Sequence, residues 1–267
     1  MAEPLHRARH TRWLAACLSA LTLAAVGGVI ACADISTDPK LVASIALDTI
    51  ASPSIVANDS LRDTLGVAQP LHATVFNIQG TALASVQLRF GSPDSGIVVD
   101  SVLGYIVADT ARAKGVRLFA AAGPLQSAAD TIYIVPAPDT ILAINPRDSL
   151  LYSLTDTTAN ISSPLQLQVL HRTSATTTLP VRSYLVSYRI TYPADTMLAR
   201  LVTRDGARRS TLDTTDATGT SARRIRLRTL SLASANDSIV VVAMVRYHGA
   251  PVHGAPVRFV LQVKPHP

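Results

Sequence analysis

Residues 71–77, Leu71-His72-Ala73-Thr74-Val75-Phe76-Asn77, alternate along an extended axis: positions 71, 73 and 75 share one face and 72, 74 and 76 the other. Val86-Gln87-Leu88-Arg89-Phe90 repeats the pattern, turning Val86, Leu88 and Phe90 inward and Gln87 and Arg89 outward. A period of two is what a half-buried strand requires, because successive side chains leave opposite faces of a sheet. Gly80 closes the first run, and the turn-dense Gly91-Ser92-Pro93-Asp94-Ser95-Gly96 closes the second. Ile97-Val98-Val99-Asp100, Gly104-Tyr105-Ile106-Val107-Ala108, Gly115-Val116-Arg117-Leu118-Phe119-Ala120 and Asp130-Thr131-Ile132-Tyr133-Ile134-Val135 follow at short intervals without a helical period. Such a succession predicts an antiparallel sandwich.

The pattern continues beyond Ala137-Pro138-Asp139, which reads as a linker. Thr140-Ile141-Leu142-Ala143-Ile144 begins a new strand, Leu165-Gln166-Leu167-Gln168-Val169 alternates, and the segment 179–190 reads as a strand pair. Ser238-Ile239-Val240-Val241-Val242-Ala243 and the run 256–263 complete a second sheet system. At roughly 130 residues this region exceeds an average sandwich of about 100, so residues 193–215 are expected to hold an insertion or long loops.

In order, the motifs of residues 40–136 resemble the bacterial immunoglobulin-like repeats, especially the invasin and intimin group. That group runs from an L-x-A-x-V strand and a Gly, through an apolar strand with an aromatic and a Ser-Asp turn, to G-x-V-x-A, G-x-A-x-I-x-A and a closing I-x-V. Phe90 stands where its members often carry Trp. In the later region, Leu179-Pro180-Val181 through Ile190 resembles the P-V-x-G-x-x-V-x-F strand pair, with Ser183 in place of the usual Gly, and 213–222 resembles the T-D-x-x-G-x-A turn and strand. The resemblance implies an all-β chain of two tandem immunoglobulin-like antiparallel β-sandwiches, 40–136 and 137–265, behind an N-terminal signal peptide.

Composition agrees with strands. Hydrophobic residues are 48% of the 267 but aromatic ones only 4%, leaving Val, Ile, Leu and Ala to form the interior. Charge is uneven: residues 40–136 carry six Lys or Arg against seven Asp, whereas 137–267 carry fifteen against eight. The second region is the basic one. Cys17 and Cys32 are the only cysteines, so residues 40–265 contain none to form an internal disulfide.

Both cysteines fall in the N-terminal segment. Arg7, Arg9 and Arg12 precede an uncharged apolar run over residues 13–31, a signal-peptide layout. Its end, Val29-Ile30-Ala31-Cys32, resembles the bacterial lipobox, which implies cleavage before Cys32 and lipidation of its thiol. Several acyl chains on one residue give stable anchoring where one gives marginal binding. Two other readings stand beside it: an A-x-A cleavage at Ala31-Cys32-Ala33 that releases a soluble protein starting at Asp34, and an uncleaved membrane helix, since about 19 apolar residues can span a bilayer. All three place the rest of the chain outside the cytoplasm. Residues 33–39 form a short polar tether.

No phosphate-cradling Gly-rich loop, G-x-S-x-G elbow or H-E-x-x-H helix is present, so an enzyme is not expected and no cofactor is implied. Asp213-x-x-Asp216 with Gly219 lacks the alternate-ligand spacing of a calcium loop and reads as a polar hairpin. His248 and His253 lie in a tandem His-Gly-Ala-Pro-Val repeat that reads as turn chemistry; no third metal ligand stands nearby. Arg223, Arg224, Arg226 and Arg228 flank Ile225 and Leu227. On a strand, Arg224, Arg226 and Arg228 share one face, either a solvated stripe or a contact for an anionic polymer, lipid headgroups or a partner protein. Nucleic acid is a poor match, given few aromatic stacking partners and an exported location.

These readings lead to an envelope-anchored lipoprotein, periplasmic or surface-facing, acting as a non-enzymatic spacer or interaction module. The alternative is adhesin-like binding of anionic envelope material or a partner protein through the basic second region. A secreted accessory protein or enzyme is the third.

Overall fold

The computed structural model describes residues 38–110, 114–156, 158, 160–193, 199–228 and 238–265. The signal segment, Cys32 and most of the tether lie outside the described residues. The chain is all-β, folded as two β-sandwiches, and no helix among the described residues is long and apolar enough to cross a membrane.

The first half contains β1 (Val42–Leu47), β2 (Ser54–Val56), β3 (Ala73–Asn77), β4 (Arg89–Gly91), β5 (Ile97–Val99), β6 (Ile106–Ala108), β7 (Gly115–Ala122), β8 (Leu125–Gln126) and β9 (Asp130–Val135). One sheet runs β2-β9-β7-β4, with β8 folded back on β7; across from it lie the ladders β1-β3 and β5-β6. The amide of Leu71 donates to Gly104 O at 2.9 Å, joining those two ladders into one layer. Ile55, Leu61, Ile106, Leu118, Ile132 and Ile134 fill the space between layers, none more than 2% exposed.

The second half contains β10 (Thr140–Ile144), β11 (Arg147–Tyr152), β12 (Leu165–Arg172), β13 (Thr178–Pro180), β14 (Leu185–Tyr192), β15 (Ala199–Val202), β16 (Leu212–Thr214), β17 (Thr220–Leu227), β18 (Ser238–Met244), β19 (Arg246–Tyr247), β20 (Ala250–Pro251) and β21 (Val257–Pro265). Its sheets run β10-β12-β17-β15 and β11-β21-β18-β14-β16. The strand alternation places Leu167, Val169, Ile225, Val241, Phe259 and Leu261 face to face and fully buried. Each such side chain contributes about 1.5–3 kcal/mol by leaving water.

Three features depart from the sequence expectation. Residues 193–215 are not merely loop, since β15 pairs with β17 and β16 with β14 inside that span. Strand β11, which the hydrophobic pattern does not mark, runs parallel to β21 with Leu150 opposite Val263. In the first half β2 likewise runs parallel to β9, Ile55 opposite Ile134. Short strands of three to six residues at a sheet margin bury too few side chains to print a clear period. Ser183 takes φ +53°, the left-handed conformation for which the resembled pattern uses Gly.

A candidate functional site at the joint between the sandwiches

The two halves meet where a turn of each comes together. In the first half, Asn58 at φ +59° bends the chain out of β2, and its amide donates to Ala108 O and Asp109 O at 3.1 and 2.9 Å. This bend places Asp59 at the boundary, with only 9% of its side chain exposed. In the second half, His248 and Gly249 connect β19 to β20 with φ of +50° and +77°. Positive φ at both central residues matches the right-handed twist of paired strands in a two-residue hairpin loop. The turn projects the His248 ring toward the first sandwich.

There the His248 Nε2 lies 2.7 Å from Asp59 Oδ2. Asp59 also accepts from Arg62 through both Nε and Nη2, the latter at 2.8 Å, and from its neighbour's amide, Ser60 N, at 2.8 Å. Arg62 Nη1 donates in turn to Gly66 O at 2.9 Å, fixing the turn at residues 63–66. That turn abuts the hairpin: a methyl group on Gly66, at φ +85°, would overlap the backbone nitrogen of Gly249. Tyr184 closes the far side, its hydroxyl donating to Arg246 O at 2.8 Å.

Electrostatics follow from these contacts. Burial would raise the Asp59 pKa, but the hydrogen bonds from Arg62, Ser60 and His248 outweigh it and hold the carboxyl below its usual range. The carboxylate is therefore charged where it meets Arg62 and the His248 ring. Burial pushes the Tyr184 phenol up, with Tyr247 and Asp59 adding to the effect. The Tyr247 ring sits 4.2 Å from the His248 ring, centroid to centroid, supporting its orientation. Ser52, Ser54 and Ser60 line the same recess, yet no hydroxyl among the described residues bonds the His248 ring. The cluster is a charged clasp in which Asp59 holds Arg62 and the His248 ring together.

Apolar contacts run beside it. Val56 and Val135, the last residues of β2 and β9, belong to the interior of the second half, with Tyr133 and Ala137 packed against the same cluster. Arg182 lies 4.3 Å above the Tyr133 ring. The connecting residues are tied down as well: His171 Nδ1 lies 2.8 Å from Ala137 O, and Asp139 Oδ2 accepts from the Arg172 amide at 2.6 Å.

Other residues singled out by the sequence have separate places. Arg224 and Arg226 lie half-buried on the outer face of β17, while Arg228 is exposed just past the strand's end. Arg223 points inward: it is buried and ion-paired with Asp213 at 2.8 Å. Asp213 also accepts from Ser221 and Ala222, and Asp216 caps its own turn by accepting from Thr218 and Thr220. His253 is exposed, and its backbone joins β10 to the connecting segment through Ile141 and Asp139. It does not meet His248's partners. Cys32 lies outside the described residues.

No protein-family model and no curated protein matches the chain. Solved structures similar to it include domains 4 and 5 of the S-layer protein SbsC, at 12% identity and TM-score 0.29, covering 84% of this chain and 98% of that one. The Yersinia pseudotuberculosis adhesin InvE is similar at 13% identity and TM-score 0.28, covering 85% of this chain and 61% of that one. Cadherin domains 3–6 of protocadherin gamma B2 are similar at 12% identity and TM-score 0.27, over 84% of this chain and 51% of that one. Likenesses at this level carry nothing about activity or partners.

Proposed function

We propose that the chain is an exported, non-enzymatic spacer: two sandwiches, 40–136 and 137–265, held at the bacterial envelope by a lipid on Cys32. The observation that carries this reading is the joint, in which Asp59 of the first sandwich holds His248 of the second at 2.7 Å while Val56 and Val135 sit in the second interior. A hinge built for motion would leave its connecting residues solvated, whereas here polar and apolar contacts both cross the boundary. The lipobox-like Val29-Ile30-Ala31-Cys32 supports the anchor. Intact mass with membrane fractionation tests it, comparing wild type with Cys32→Ser. A chain beginning at Cys32 with added acyl mass, released to the soluble fraction by the substitution, is the expected result. An unmodified chain beginning at Asp34 would refute the anchor and leave a secreted protein.

A second reading, adhesin-like binding of anionic envelope material through the basic half, is favoured by the arginines on the outer face of β17. Replacing Arg224, Arg226 and Arg228 by Ser is expected to abolish binding to isolated envelope without lowering the temperature of thermal unfolding. Retained binding would exclude it.

A further inference from the structure

On the outer face of the β15–β17 ladder, Arg200 stands directly opposite Arg226, and Arg224 follows two residues before Arg226 on the same side. Opposed residues of an antiparallel pair hold their Cβ atoms about 4.5–5.5 Å apart, and like charges so placed destabilise a sheet. Among the described residues no carboxylate forms an ion pair with Arg200, Arg224 or Arg226. Among the described residues the Nε atoms of Arg200 and Arg224 are closed off from solvent without a hydrogen-bond partner, and Arg226 finds Gly206 O at 3.2 Å. Arg223 shares the unpartnered Nε but differs in its charge partner, Asp213 at 2.8 Å, so on the same strand a carboxylate stands against the inward guanidinium and none against the outward ones.

The cationic surface also turns a corner. Arg209 pairs through its backbone with Val202 of β15, and Arg189 projects from β14 in the opposite sheet. Arg189, Arg200 and Arg209 line one groove between β14 and β15, whose polar wall is completed by Ser210 and Thr211. A planar surface cannot touch the outer faces of both sheets together, but a flexible chain laid along the groove can.

We propose that this groove and ladder bind a linear polymer bearing phosphate groups, with Arg189, Arg200 and Arg209 gripping the chain at the sheet margin and Arg224 and Arg226 continuing the track. Guanidinium forks match phosphate oxygens with two parallel hydrogen bonds, and an anion between Arg200 and Arg226 removes the repulsion that the bare ladder carries. The proposal rests on the reading of the basic half as an anion-binding surface, and adds to it the ligand chemistry, the groove and three residues.

The test uses the full chain with linear inorganic polyphosphate as probe, and with neutral phosphatidylcholine vesicles that do or do not contain phosphatidylglycerol. Three variants are compared: Arg189→Ser/Arg200→Ser/Arg209→Ser, Arg224→Ser/Arg226→Ser, and a control that removes the exposed Arg147, Arg172 and Arg258. Polyphosphate is expected to bind wild type and raise its unfolding temperature. The groove and ladder variants each weaken binding by at least about tenfold, while the control stays within about twofold because distant exposed charges are screened. Unfolding of the unliganded groove variant is expected at or above the wild-type temperature, a readout that separates lost binding from lost folding. A groove variant that binds like the control overturns the proposal, and the anion-binding reading survives that result if the ladder variant still loses binding. Preference for phosphatidylglycerol vesicles without polyphosphate binding overturns the polymer in favour of a lipid headgroup. Binding of neither probe overturns both.

Discussion

His248 Nε2 and Asp59 Oδ2 are 2.7 Å apart although 189 residues separate them in the chain, and each belongs to a different sandwich. Their hydrogen bond makes the stability of the two halves interdependent. Asp59→Ala leaves Arg62 and His248 without their shared acceptor and is expected to cost about 2 kcal/mol, whereas His248→Ala is expected to cost about 1 kcal/mol because that side chain is half exposed. In a double-mutant cycle followed by urea unfolding, the two losses should add to more than the double variant shows; strict additivity would mean the contact carries no coupling.

Gly66 is expected to tolerate no side chain. Its φ of +85° and the backbone of Gly249 against it mean that Gly66→Ala must both strain the turn and push the hairpin away. A loss of about 2 kcal/mol or more is expected, beyond the usual strain of a left-handed alanine. Small-angle X-ray scattering should register a broadened angle between the sandwiches, and an unchanged profile would show the approach to be dispensable.

Acid should release the clasp. Because the folded Asp59 pKa lies below its ordinary value, its contribution is fully present above the unfolded carboxylate pKa of about 3.9 and fades as pH falls through the lower folded value. The difference in unfolding temperature between wild type and Asp59→Asn is therefore expected to shrink between pH 5 and the lowest pH at which the chain stays folded, roughly pH 2–3. A constant difference across that range would assign the effect to packing. Arg62, His248, Tyr184 and Tyr247 stand beside the group, and both phenols are neutral throughout this range.

Within the second sandwich, Asp213 binds Arg223, Ser221 and the Ala222 amide, and Ser221 lies 3.0 Å from the hydroxyl of buried Tyr188. Asp213→Ala strands the Arg223 guanidinium and is expected to cost about 3 kcal/mol, while Asp213→Ala combined with Arg223→Met should recover much of that. Chemical denaturation decides between these outcomes: equal losses in the single and double variants would show that the pair matters only through its shape.

Much of this architecture is legible in the sequence alone. The alternation at 71–77 and 165–169 marked buried faces correctly, since one misplaced residue would turn each strand's apolar set to water. The parallel partners β2 and β11 were not legible, being short and set by long-range pairing. The joint was hidden for a similar reason. Asp59 and Arg62 look like ordinary loop residues in Asn58-Asp59-Ser60-Leu61-Arg62, and nothing local says that a histidine from a distant hairpin completes them. The His-Gly signal at 248–249 did mark the turn, but not what the turn faces. The arginines of β17 were visible, whereas Arg200 became their partner only through the β15 register.

The parallel pairs β2–β9 and β11–β21 have a mechanical consequence. In each sandwich the second strand of the half lies alongside the last one and points the same way, so once the first strand, β1 or β10, has been drawn off, tension between the two ends of the chain drags the parallel strands past each other lengthwise. Every ladder bond then bears load at once instead of opening in sequence from one end. A tether arranged like this is expected to resist extension and then yield abruptly, one sandwich at a time. Single-molecule pulling should record two separate rupture events; gradual lengthening at low force would show that the strands peel apart.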